Sequence, residues 1–213
     1  MKPFDPASAL SARTSAIEEI AIIAMAQKAR ELKAQGADVV SLTIGEPDFD
    51  TPVAIRQAAV DAMNAGFTHY APIAGYPELR AAIAERLNQD NTIPVEPTGV
   101  VLSNGAKQAL TNACFATLDV GDEVILIAPF WAAYEGIVKM AGGVPVIVSA
   151  GADTAFKPAI EQVAAAITGR TKLIMLNSPS NPSGAVWTAA ELQALADLVQ
   201  AHPRCLVLSD EIY

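Results

Sequence analysis

Glu123-Val124-Ile125-Leu126-Ile127-Ala128 is apolar at every position after its first. A strand wetted on one side alternates apolar and polar residues, whereas an unbroken apolar run of this length is buried on both faces. The next segment, Trp131 to Met140, has the length and patterning of a helix, and Val144 to Ser149 then reads as another short apolar strand. The alternation continues outward. Strands are expected at Val100 to Ser103, Lys172 to Leu176 and Cys205 to Ser209, and helices at Ala106 to Leu118, Pro158 to Ile167 and Ala189 to Gln200. Buried strands alternating with helices predict an α/β fold, a mainly parallel sheet covered by helices on both faces. Right-handed crossovers place the carboxyl ends of all its strands on one rim.

Before Gly99 the pattern is less regular. Met1 to Thr14 reads as an extended arm, with Pro3 and Pro6 blocking an early helix. Ser15 and Glu18 form a possible capping box for a helix running to Lys33 or Ala34, with Gly36 as its stop. Val39 to Ile44 is expected as a strand, followed by the turn-rich loop Gly45 to Pro52. Thr51 is placed to cap, and Pro52 to start, a helix reaching Ala65. The loop His69 to Gly75 leads into a helix from Pro77 to Asn88.

Composition narrows the class. The 213 residues are 52% hydrophobic and 17% charged, enough to bury a substantial core. A net charge of -9 argues against a nucleic-acid binder, since phosphate contacts need clustered Lys and Arg. The two cysteines, Cys114 and Cys205, sit in apolar segments without metal-ligand spacing and read as free buried thiols, which suits a reducing cytoplasm. No apolar run reaches membrane-spanning length, and Ile20 to Ala26 follows Glu18 and Glu19 rather than the basic start of a signal peptide.

Open α/β sheets bind ligands at the carboxyl ends of their strands, so the loops there are the place to look for chemistry. Asn104-Gly105-Ala106-Lys107-Gln108 turns from a strand straight into a helix, presenting free backbone N–H groups and the positive end of the helix dipole to an anion such as a phosphate. It matches neither the dinucleotide nor the nucleoside-triphosphate glycine pattern. Pro129-Phe130-Trp131 supplies an aromatic able to stack on a flat ring, and Asn177-Ser178-Pro179-Ser180-Asn181-Pro182-Ser183-Gly184 a stiff loop able to present an amide. Leu206-Val207-Leu208-Ser209-Asp210-Glu211-Ile212-Tyr213 ends a strand on a carboxylate and a phenol. Singly, each also fits a structural role: a tight turn, a packed Trp, ordinary turn chemistry, a capping acid. Together they suit a flat phosphorylated heteroaromatic with a basic ring nitrogen and a phenolic oxygen, and pyridoxal 5′-phosphate (PLP) has all of these features.

The same segments, in this order, resemble the class I aminotransferases, close to the aspartate aminotransferase family of PLP enzymes. The matching pieces are Ile44 to Pro52, Tyr70-Ala71-Pro72-Ile73-Ala74-Gly75, Ser103 to Lys107, Pro129-Phe130-Trp131, Asn177 to Gly184 and Ser209 to Tyr213. The resemblance implies that Gly105, Ala106 and Lys107 hold the cofactor phosphate and that Trp131 stacks on the ring. It implies that Asn181 and Tyr213 hydrogen-bond the ring 3-oxygen and that Asp210 pairs with the protonated ring nitrogen. Gly45, with Trp131 and Asn181, would meet the substrate, and Tyr70 would reach the phosphate of a neighbouring subunit, which requires a homodimer.

The resemblance further implies that residues 1–45 are an arm and small-domain segment, and 46–213 the first part of the large PLP-binding domain. The lysine that forms the Schiff base and the arginine that grips the substrate carboxylate are expected beyond Tyr213. None of Lys28, Lys33, Lys107, Lys139, Lys157 or Lys172 is placed to substitute, so the 213-residue chain is expected to be incomplete and inactive alone. The implied activity is amino transfer between an amino acid, with aspartate a candidate, and a 2-oxo acid. A C–S lyase or decarboxylase on the same apparatus stays open, as does a non-catalytic PLP-binding regulator, although the acidic charge and short leading arm argue against the last.

Overall fold

The computed structural model describes residues 9–15, 17, 21–43, 45 and 47–213. The chain divides into two compact units, Ile22–Ser103 and Met1–Ala21 with Asn104–Tyr213. The helices are α1 (Ala12–Ser15), α2 (Ala21–Ala34), α3 (Val53–Asn64), α4 (Pro77–Asn91), α5 (Gly105–Thr117), α6 (Ala133–Met140), α7 (Ile160–Ala166) and α8 (Ala189–Gln200). The strands are β1 (Glu123–Ala128), β2 (Val144–Ser149), β3 (Thr171–Asn177) and β4 (Leu206–Asp210).

The sheet lies in the second unit and is wholly parallel, with strand order β2-β1-β3-β4. Alternate residues of the two central strands enter two cores. Val124 and Leu126 of β1 and Leu173 and Met175 of β3 pack with Leu110, Cys114, Tyr134 and Val138 on the α5 and α6 side. Ile125, Ile174 and Leu176 point the other way, to Val163 of α7, Trp187 and Leu195 of α8. A period-2 backbone presents successive side chains to opposite faces, so an all-apolar strand requires a helical layer on each side. That layering is what the run at 123–128 predicts. The carboxyl ends of the strands share one rim, where Asn177 of β3 lies in register with Asp210 of β4.

The opposite rim is tied by Glu123, buried at the start of β1. Its carboxylate accepts from Thr168 Oγ1 at 2.5 Å and pairs with the Arg170 guanidinium. These partners, the Thr168 hydroxyl foremost, hold its carboxyl below the usual range.

In the first unit, α2 ends in a left-handed Gly36 with Ala37 N bonded to Leu32 O, the glycine stop expected. The capping-box partner Glu18 falls outside the described residues. Thr51 does not cap α3: Pro52 occupies the cap position and no side chain accepts there. Pro77 opens α4 as predicted. Val100 to Ser103 and the described part of Val39 to Ile44 are not strands. A ladder needs a neighbour, and among the described residues neither segment has a strand partner; Leu102 N bonds instead to Ala74 O in the preceding loop.

Candidate cofactor site

The site grows out of the first turn of α5. Its leading N–H groups have no intrahelical acceptors, and the Asn104 side chain does not cap them. Gly105 takes φ +77°, which L side chains rarely adopt, with open space where a Cβ would stand. Asn104 N is tied to Gln108 Oε1 at 2.6 Å, so the loop is held from its own helix. The result is an uncapped, positively polarised helix terminus at Gly105, Ala106 and Lys107. From it the Lys107 ammonium reaches over the Trp131 ring, 5.0 Å from its centroid.

Contacts then run without a break along the rim. Trp131 meets the ring of Tyr134 edge-on at 5.6 Å. The Tyr134 hydroxyl donates to Asp210 Oδ2 at 2.6 Å, and both residues are buried, at 2% and 8% exposure. Asn177 Nδ2 donates to the Asp210 carbonyl at 2.8 Å while Asn177 Oδ1 accepts from Asn181 N at 2.7 Å. Asn181 Nδ2 in turn donates to Tyr213 Oη at 2.6 Å, which leaves the Tyr213 proton available to another acceptor. Asp210 Oδ1 has only a 3.3 Å bond from Ile212 N, so the carboxylate keeps acceptor capacity. Burial first, then the Asp210 hydrogen bond and charge, raise the Tyr134 phenol well above its ordinary value, so it remains a donor through the neutral range.

Ala106 and Asp210 line one cavity of about 420 Å³, between α5 and the end of β4. That size is ordinary for a small-molecule site. Six of the predicted residues, Lys107, Trp131, Asn181, Asp210 and Tyr213 with Ala106, are thus brought to one rim, and Gly105 precedes them in the same turn. Gly45 and Tyr70 belong to the other unit, where Tyr70 is fully exposed. Tyr134 and Asn177 were not singled out by sequence. Their signals are Tyr134's spacing of three from Trp131 and Asn177's place as the last residue of a strand; neither distinguishes them from core and turn residues.

The donor set fits PLP. An open anion cradle, an aromatic, a buried carboxylate with spare acceptor capacity and a phenol with a free proton correspond to its phosphate, ring, ring nitrogen and 3-oxygen.

Residues 37–213 match the sequence profile of the family described as aminotransferase class I and II. The chain belongs to this family. Among curated members, the aspartate/prephenate aminotransferase of Cereibacter sphaeroides is 50% identical over 191 residues, covering 90% of this chain and 48% of its own. The aspartate/prephenate aminotransferase of Thermus thermophilus is 48% identical over 204 residues, 96% of this chain and 53% of its own. The crystal structure of the Rhizobium meliloti aspartate aminotransferase superposes with a TM-score of 0.92 at 41% identity, over 99% of this chain and 52% of that one. The Thermus thermophilus aspartate aminotransferase with maleate gives 0.92 at 48% identity, over 96% and 53%. The chain therefore spans about half the length of the relatives it matches. The PLP fold expected from the sequence is borne out, as is the cofactor of the family.

Proposed function

We propose that this chain supplies the cofactor-binding half of an aminotransferase that moves an amino group between an acidic amino acid, aspartate, and a 2-oxo acid. The buried Asp210 carboxylate, held by Tyr134 and joined through Asn177 to the Asn181–Tyr213 pair, carries the reading. PLP, when bound, supplies an electron sink for the carbanion left when an amino acid loses its Cα proton. The chain's own residues set how strong that sink is. Asp210 would favour the protonated ring nitrogen by offering it a charged partner out of water. Tyr213, positioned by Asn181, would donate to the ring oxygen and favour its ionised form. Gly105, Ala106 and Lys107 would hold the phosphate, Trp131 would cover the ring, and Gly45, with Trp131 and Asn181, would meet the substrate. Tyr70, fully exposed, suits a role across a homodimer interface.

Aspartate is favoured because curated relatives carry that substrate in their names and one solved relative was determined with the dicarboxylate maleate. We read 1–45 as arm and small-domain segment and 46–213 as the start of the large domain. A cytoplasmic location accords with the free buried cysteines; among the described residues no helix is long and apolar enough to cross a membrane. The test is to incubate the protein, expressed at its full genomic length, with aspartate, 2-oxoglutarate and PLP. Equal formation of oxaloacetate and glutamate is expected. Release of pyruvate or an amine without glutamate would replace the reading with a lyase or decarboxylase.

A further inference from the structure

We infer that Tyr134 is a positioning residue for Asp210, fixing through its hydroxyl the carboxylate that is to meet the cofactor's ring nitrogen. The inference rests on the PLP reading above and adds a residue to it. The Asp210 main chain is clamped by Asn177, but a carboxylate rotates in a broad well about its last torsion. Of its two oxygens, Oδ1 has only the 3.3 Å amide contact, whereas Oδ2 is held by Tyr134 at 2.6 Å. Tyr134 is therefore the group that sets the plane of the carboxylate.

Tyr134 is itself immobilised. It sits in the first turn of α6, inside the core formed with Leu110, Val124 and Met175. Its ring stands edge-on to Trp131 at 88° and lies near-parallel to Phe130 at 27°. The residue proposed to cover the cofactor ring and the residue aiming the carboxylate thus touch each other. A displacement of either is transmitted to the other through one aromatic contact. Because burial keeps the phenol protonated, it acts as a fixed donor rather than a switch.

A tyrosine that only filled the core would lose stability on substitution and leave the cofactor's electronic state alone. The two roles separate in the full-length protein loaded with PLP labelled with ¹⁵N in the ring. Tyr134→Phe keeps the ring packing and removes the hydroxyl. The expected result is PLP affinity within about tenfold of wild type, since the phosphate cradle is untouched, with the ring-nitrogen resonance displaced toward its unprotonated position. Replacing Tyr134 with 3-fluorotyrosine, a stronger donor of nearly the same shape, is expected to displace the resonance the opposite way, and this arm decides the matter if the Phe variant does not fold. A resonance that superposes on wild type in the folded variants overturns the inference and leaves the PLP reading intact. Wild-type protein that does not bind PLP at all overturns the reading beneath it.

Discussion

Asp210 and Tyr213 lie three residues apart yet are held by different partners, an arrangement that suits the proposed contacts of one strand end with two sites of a ring. Asp210 is fixed by Tyr134 and Asn177 from neighbouring elements, and Tyr213 by Asn181. Asp210→Asn keeps the shape and the oxygen that accepts from Tyr134, but removes the charge. The expected outcome in the full-length protein is near-wild-type thermal unfolding with kcat/KM for aspartate reduced on the order of 100-fold or more. An undiminished rate would end the assignment. Tyr213→Phe would remove the proposed donor to the ring oxygen, and a milder loss of about tenfold is expected from steady-state kinetics.

Glu123 at the start of β1 joins two strands and a turn at the rim away from the site. Its pairing with β3 carries a register shift between Glu123 and Val124, so the carboxylate anchors a point where the ladder is irregular. The folded-state carboxyl is held below its usual value, so the stability it contributes is present above the ordinary carboxylate range and lost as pH falls through the folded value. Glu123→Gln is expected to cost about 2 kcal/mol near neutral pH by urea unfolding, and to flatten the acid limb of stability. At the start of α8, Thr188 accepts from Glu191 N while Glu191 pairs with Lys157, which holds that exposed carboxyl at about 2. Lys157 is thus committed to a partly buried ion pair that ties the segment before α7 to the start of α8. Thr188→Ala should cost about 1 kcal/mol, read by the same unfolding measurement.

The legibility of these elements tracks how local their determinants are. β1 and β3 are readable because burial on both faces leaves no polar position in residues 124–128 or 173–176. Val100 to Ser103 has the same apolar character, but a strand exists only with a partner, and composition does not show whether one is present. Asn104 to Lys107 and Asp210 announce themselves by turn chemistry and by a charge beside apolar residues. Tyr134 does not, because a tyrosine on the buried face of a helix reads as packing until its hydroxyl is seen against Asp210, 76 residues away in sequence.

As a whole, the chain joins a doubly covered sheet to a separate helical unit and matches about half of its relatives' length. On β4, which has β3 as its only strand partner among the described residues, Leu206 and Val207 stay substantially exposed, and Phe115 of α5 adds apolar surface in the same unit. Exposed strand edges with apolar side chains promote association. The 213-residue chain expressed alone is therefore expected to bind a hydrophobic dye and self-associate in size-exclusion chromatography, whereas the full-length protein is not.

Cofactor control by Asp210 is tested by a crystal structure of the full-length protein with PLP. The phosphate is expected on the N–H groups of Gly105, Ala106 and Lys107, with the ring nitrogen within hydrogen-bond distance of the Asp210 carboxylate and Tyr134 still donating to it. A cofactor bound with its ring nitrogen facing any group other than Asp210 would contradict it.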